Sequence, residues 1–116
     1  WEIEDFLYIE HFAVKEEYRR GGYGGMLPGA LLADKKRPMV LEVELPEDAL
    51  TRRRIGFYER HGLVFNSYPY LQPPMRKGQG VLPLRLMTKP AAIDAKTYQR
   101  YKKRIHSIVY KYEGDL

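Results

Sequence analysis

Gly21-Gly22-Tyr23-Gly24-Gly25 follows an apolar alternating stretch and runs directly into Met26-Leu27-Pro28-Gly29-Ala30-Leu31-Leu32-Ala33. Glycine lets a backbone turn tightly and lets its N–H groups come close to a ligand. A helix that starts immediately after such a turn presents free N–H donors to an anion. Arg19 and Arg20 precede the turn and would add charge-assisted contacts to a phosphate. The same residues would also serve as a flexible turn beside two surface arginines. Spacing excludes two well-known phosphate loops. No Gly-Lys-Ser/Thr closes the run, so it is not a Walker A loop. Gly22-x-Gly24 is followed by Leu27 where the dinucleotide fingerprint needs a third glycine.

The run Arg19-Arg20-Gly21-Gly22-Tyr23-Gly24 resembles the acyl-coenzyme-A motif of the GNAT N-acetyltransferase superfamily, Gln/Arg-x-x-Gly-x-Gly/Ala, and fits it without a gap. Downstream, Ile55-Gly56-Phe57-Tyr58-Glu59-Arg60-His61-Gly62-Leu63 is similar to the family's Phe/Leu-Tyr-Glu-Lys/Arg-x-Gly-Phe signature. The resemblance covers residues 6–88. It implies an acyl-CoA N-acetyltransferase that moves an acetyl group from acetyl-CoA to an amine by direct attack, without a covalent enzyme intermediate and without a metal. By this resemblance Arg20, Gly21, Gly22, Tyr23, Gly24 and Gly25 would hold the coenzyme pyrophosphate, with Arg19 in support. The backbone of Phe12 and Val14 would pair with the pantetheine arm. Tyr58 would be the proton donor to the departing thiolate, the alternative being a core tyrosine under the sheet. A carboxylate near the strand ends must take the proton of the amine; Glu10 is preferred, then Glu44, then Glu42. The chain departs from the family pattern at Glu16, where proline is common, and at Thr51, where asparagine is common.

These residues need elements to position them. Alternation over Leu7–Val14 predicts a strand with Tyr8, Glu10 and Phe12 on one face and Leu7, Ile9, His11 and Ala13 on the other. Helical periodicity begins at Gly24 or Gly25. Met39–Leu45 is the second strand, with Val40, Glu42 and Glu44 facing one way. A helix over Thr51–His61 is closed by Gly62 as a left-handed C′ residue. Leu63–Leu71 reads as an aromatic strand interrupted at Asn66-Ser67, and Val81–Met87 as a fourth strand. Tyr98, Tyr101, Ile105, Ile108 and Tyr112 form the apolar stripe of a helix over 91–110. The fold class expected is α+β (α/β-like), a mixed central sheet whose first two strands are parallel across a crossover helix. Residues 1–89 would be a partial acetyltransferase domain, and residues 90–116 a basic amphipathic helix packed on it or appended to it.

The chain has 116 residues, enough for one domain, and a net charge of +5. Residues 76–111 hold ten Lys or Arg against Asp94 alone. Such a basic third suits nucleic acid, a polyphosphate ligand or a solvated helix face; the buried-stripe spacing of its tyrosines makes nucleic acid the weaker reading. A non-catalytic acyl-CoA-binding protein is a further alternative. There is no cysteine, which excludes thiolate nucleophiles and thiolate metal sites. His11, His61 and His106 have no second ligand at metal spacing. His61 reads as a helix cap and His106 as an exposed or lightly packed residue. No apolar run approaches the roughly 20 residues of a membrane span, and a cytoplasmic location is expected. A full domain of the resembled family would place a strand, two helices and further strands before residue 6. Without them strand 7–14 would expose an edge and a face. An upstream segment, a partner chain or a homodimer would cover them, and the C-terminal helix would pack across the face.

Overall fold

The protein is described by a computed structural model over residues 2–3, 6–9, 37–74, 80–114 and 116. β3 (Met39–Glu44) lies at the centre of a five-stranded sheet and is buried on both faces as far as Val43. Two neighbours bury it. β2 (Phe6–Ile9) runs parallel to it, with Leu7, Tyr8 and Ile9 opposite Met39, Val40 and Leu41. β5 (Leu82–Lys89) runs antiparallel along its whole length. β1 (Glu2–Ile3) and β4 (Val64–Gln72) complete the order β1-β2-β3-β5-β4. A parallel pair needs a crossover, and the chain that makes it lies outside the described residues. The outer edge expected to be bare at Leu7 is paired instead by the chain itself, since β1 folds back antiparallel with Glu2 opposite Leu7 and Ile3 opposite Phe6.

The two sheet faces carry separate cores, as alternation requires. One face sets Ile9, Met39, Leu41, Val43 and Met87 against α1 (Ala49–Arg60) through Ile55 and Tyr58. Asp48 caps this helix by accepting the Thr51 N–H at 2.7 Å. That hydrogen bond holds the Asp48 carboxyl below its ordinary range, with Arg54 and Arg52 adding to it. Gly62 ends the helix at φ +89°, the left-handed C′ position expected for it. His61 closes the last turn, its Nδ1 bonded to the Phe57 carbonyl at 3.0 Å.

The opposite face sets Phe6, Tyr8, Val40, Tyr70, Leu84 and Leu86 against α2 (Ala95–Ile108). Tyr98, Tyr101 and Ile105 are its buried stripe, and Tyr68 stacks on Tyr98 at 4.8 Å between ring centres. Arg100 and Lys102 lie over the rings of Tyr101 and Tyr98 at 4.9 and 5.5 Å. The helix is shorter than the 91–110 expected because Asp94 caps it, accepting the Thr97 N–H at 2.8 Å. His106, expected to be exposed or lightly packed, is buried. The chain turns back after the helix, Tyr112 N–H bonds the His106 carbonyl at 2.8 Å, and the rings of Tyr70, Tyr110 and Tyr112 enclose the imidazole.

The irregularity expected at Asn66-Ser67 is a register shift in β4 between Asn66 and Tyr70. Asn66 fastens it. Its amide donates to the Leu86 carbonyl at 3.0 Å and to Thr88 Oγ1 at 2.9 Å, and its Oδ1 accepts the Ile93 N–H at 3.1 Å. Asn66→Ala leaves buried partners unbonded and should lower the unfolding free energy by about 3 kcal/mol in urea titration. Burial pushes the His106 imidazole down to about 4, against 6.5 unperturbed. The unfolded chain therefore takes up that proton first as pH falls. Stability from this residue is full above about pH 6.5, is lost toward about pH 4, and levels off below, a change of about 2–3 kcal/mol. Urea unfolding at pH 7.5 and 5 should show it, and His106→Leu should flatten that slope.

Candidate active site

Glu10, Phe12, Val14, Arg19, Arg20, Gly21, Gly22, Tyr23, Gly24 and Gly25 lie outside the described residues, so the site is built from β3 and α1. Among the described residues the β2–β3 ladder runs as far as Ile9 opposite Leu41. β3 continues through Glu42, Val43 and Glu44, bonded along its β5 side to Leu86, Arg85 and Leu84, and this end of the strand leads into the turn before α1.

At this end Tyr58, Glu44, Glu42, Thr51 and Arg54 line one narrow cleft with about 10 Å³ of free space, enough for one water. Two of the residues expected in the site, Tyr58 and Glu44, are thus brought together by an element pair separated by a sharp polar turn. Tyr58 sits on the core-facing stripe of α1, fully buried, with the Phe57 ring edge-on at 5.6 Å between centres. Its hydroxyl is buried as well. Glu44 is the last residue of β3 and is part-exposed, with Arg54 Nη1 at 3.7 Å from its Oε1. That pair answers the electrostatic problem of Arg52, Arg53 and Arg54 at a helix N-terminus, where positive charge is unfavourable. Thr51, in place of the family's common asparagine, is buried in the first turn and faces the same cleft.

Outward from Glu44 a second, open cavity of about 180 Å³ is lined by Glu44, Leu45, Glu47, Asp48, Leu82 and Pro83. Its three carboxylates and apolar floor suit an organic cation. Among the described residues no cluster of three or more His, Asp or Glu forms that could hold a metal ion.

Glu42, ranked behind Glu10 and Glu44 on sequence, is the most elaborately held of the strand carboxylates described. It has no exposed surface. Tyr70 donates to its Oε2 at 2.6 Å, Tyr110 donates to its Oε1 at 2.9 Å, and Gln72 Nε2 lies 3.4 Å from Oε1. Burial and the nearby carboxylate push the Tyr70 hydroxyl well above the ordinary phenol range, and the same two causes act on Tyr8 and Tyr110. Alternation put Glu42 on this face, but only the return of the chain after α2 supplies Tyr110.

No curated protein matches the chain. A solved structure assigned to the GNAT acetyltransferases, from Bacteroides thetaiotaomicron, is 38% identical with a TM-score of 0.77 over 97% of this chain. The chain spans 64% of the length of that structure. The model of the acetyltransferase (GNAT) family matches residues 1–63, beginning upstream of the strand where the resemblance was first legible. With that match running over the parallel β2–β3 pair, the glycine run and the Tyr58 helix, the chain belongs to the GNAT acetyltransferase family.

Proposed function

We propose that this chain transfers an acetyl group from acetyl-CoA to a primary amine by direct attack. The observation that carries the reading is the cleft lined together by Tyr58 of α1 and by Glu44 and Glu42 of β3. A buried hydroxyl in that cleft fits such a donor. Arg19, Arg20 and Gly21 to Gly25 would hold the pyrophosphate, and Phe12 and Val14 the arm. Acetyl-CoA supplies an activated acyl group whose leaving thiolate needs neutralising.

The chain's own residues do the rest. Tyr58 donates its hydroxyl proton, or a hydrogen bond, where thiolate charge develops. The amine must lose a proton before its nitrogen can bond to the acyl carbon as the carbon–sulfur bond breaks. A strand carboxylate takes that proton: Glu10, which lies outside the described residues, or Glu44 or Glu42 of β3. The acidic cavity beyond Glu44 concentrates cations, which favours an amine acceptor. The reading of α2 as a nucleic-acid module is weakened because its tyrosine stripe is spent on the sheet.

Calorimetry with acetyl-CoA, followed by a thiol-release screen over amines, tests this. Saturable binding with turnover is expected; binding without turnover across a wide amine panel would favour an acyl-CoA sensor. Tyr58→Phe should keep the fold and lower kcat at least tenfold, about 1.4 kcal/mol or more of transition-state stabilisation. An unchanged kcat would remove Tyr58 from the chemistry.

A further inference from the structure

Tyr110 lies beyond the end of α2, far in sequence from every residue discussed as part of the site, yet its hydroxyl is the hub of the buried polar cluster. Gln72 Nε2 donates to it at 2.8 Å. The Tyr8 hydroxyl lies 2.9 Å from it. Both Glu42 oxygens accept from it, at 2.9 and 3.1 Å. A phenol has one proton to give. The carboxylate must receive it, because an ionised carboxylate only accepts. Tyr8 therefore donates to Tyr110, as Gln72 does. The proton directions are fixed as Tyr8 to Tyr110 to Glu42, with Tyr70 donating separately at 2.6 Å. Among the described residues Tyr70 and Tyr110 donate to Glu42 directly while Tyr8 and Gln72 donate to Tyr110, and such an arrangement favours the charged form of the carboxylate.

We propose that Tyr110 is a positioning residue of the reaction, acting through Glu42: the C-terminal segment carries the hydroxyl that keeps this cleft carboxylate ionised and oriented. The proposal rests on the acetyltransferase reading above, in which a strand carboxylate takes the amine proton. It adds that the reaction depends on a residue outside both family motifs and on the docking of the chain that follows α2.

The described groups near Glu42 come from every element packed around it. From β2 and β4 come Tyr8 and Tyr70. From α2 comes His106, whose ring lies 5.4 Å from Tyr70 and 6.3 Å from Tyr110, and which burial keeps neutral at ordinary pH. β5 presents Leu84 and Leu86 on this face, while Arg85 bonds the Leu84 carbonyl at 2.8 Å. In the cleft, Arg54 lies at 3.7 Å from Glu44.

The test uses the whole chain with glutamate side chains labelled with carbon-13 at the carboxyl, comparing wild type, Tyr110→Phe and Tyr112→Phe. Tyr112 lies on the same segment and also packs on His106, at 5.9 Å between ring centres, without a hydrogen bond to Glu42, so its variant reports on disturbance of the segment alone. The Glu42 resonance, assigned by its loss in Glu42→Gln, is titrated. Removing the Tyr110 donor should raise the Glu42 midpoint by about 1 unit, and Tyr112→Phe should leave it in place. In thiol release with acetyl-CoA, the acid limb of kcat/KM should move upward with that midpoint while KM for acetyl-CoA stays constant. A midpoint that is the same in Tyr110→Phe and wild type overturns the proposal. So does a midpoint that moves while the acid limb stays. Full turnover in Glu42→Gln overturns it as well. Failure of the underlying reading looks different: no thiol would be released from acetyl-CoA by the wild type or any variant, while the Tyr110-dependent shift of the Glu42 midpoint persists.

Discussion

An ionised carboxylate removed from water costs several kcal/mol unless hydrogen bonds replace its hydration. Glu42 meets that condition in the middle of the central strand. Its two oxygens take donors from β4 and from the segment after α2, and the hydroxyl of that segment is in turn backed by β2. Three otherwise separate parts of the chain therefore have to arrive together before this face of the sheet can close. The aromatic residues around it do two jobs at once, filling the core with their rings and satisfying the charge with their hydroxyls. Replacing one partner leaves a buried charge short of a bond, which is why such networks behave as units.

That constraint explains the unequal character of the two layers. Among the described residues the α1 face is built mainly from aliphatic side chains and methionines of β3, β2 and β5, with Tyr58, Thr51 and Arg54 at its border with the cleft. The α2 face is tyrosine-rich, with Tyr8, Tyr70, Tyr98 and Tyr101 in its core. Aliphatic side chains could pack that space, but they could not hold Glu42. The cleft sits where the two layers meet, at the edge of β3 beyond Leu41. There Tyr58 from the aliphatic face and Glu42 and Glu44 of the strand line one cleft.

The chain's membership of the GNAT family accounts for the glycine run and the Tyr58 helix, and leaves the polar cluster to be explained by this chain's own residues. Tyr110 and Gln72 lie outside the two motifs. The cluster ties the segment after α2 to the central strand, so that segment packs as part of the same core. The basic residues of α2 gain a role from the same packing: Arg100 and Lys102 cover tyrosine rings whose other faces belong to the core.

Local chemistry in the sequence determined much of the architecture. Alternation placed the faces of β2 and β3, Gly62 marked the end of α1, the Asn66-Ser67 pair marked the break in β4, and the tyrosine spacing marked the buried stripe of α2. Each of these is set by neighbours within a few residues, by backbone preference or by side-chain periodicity, and so is written locally. Tyr58 was singled out through the family resemblance and Glu44 through its place on a strand, and neither signal shows that the two line one cleft. The structure alone decided that β1 turns back on β2, that His106 is enclosed, and that Glu42 rather than a more exposed glutamate is the carboxylate most tightly held. These depend on contacts between residues up to 102 positions apart in the chain, as for Tyr8 and Tyr110. No window of sequence contains both partners of such a bond, and a lone glutamate on a strand looks the same whether water or three tyrosines will surround it.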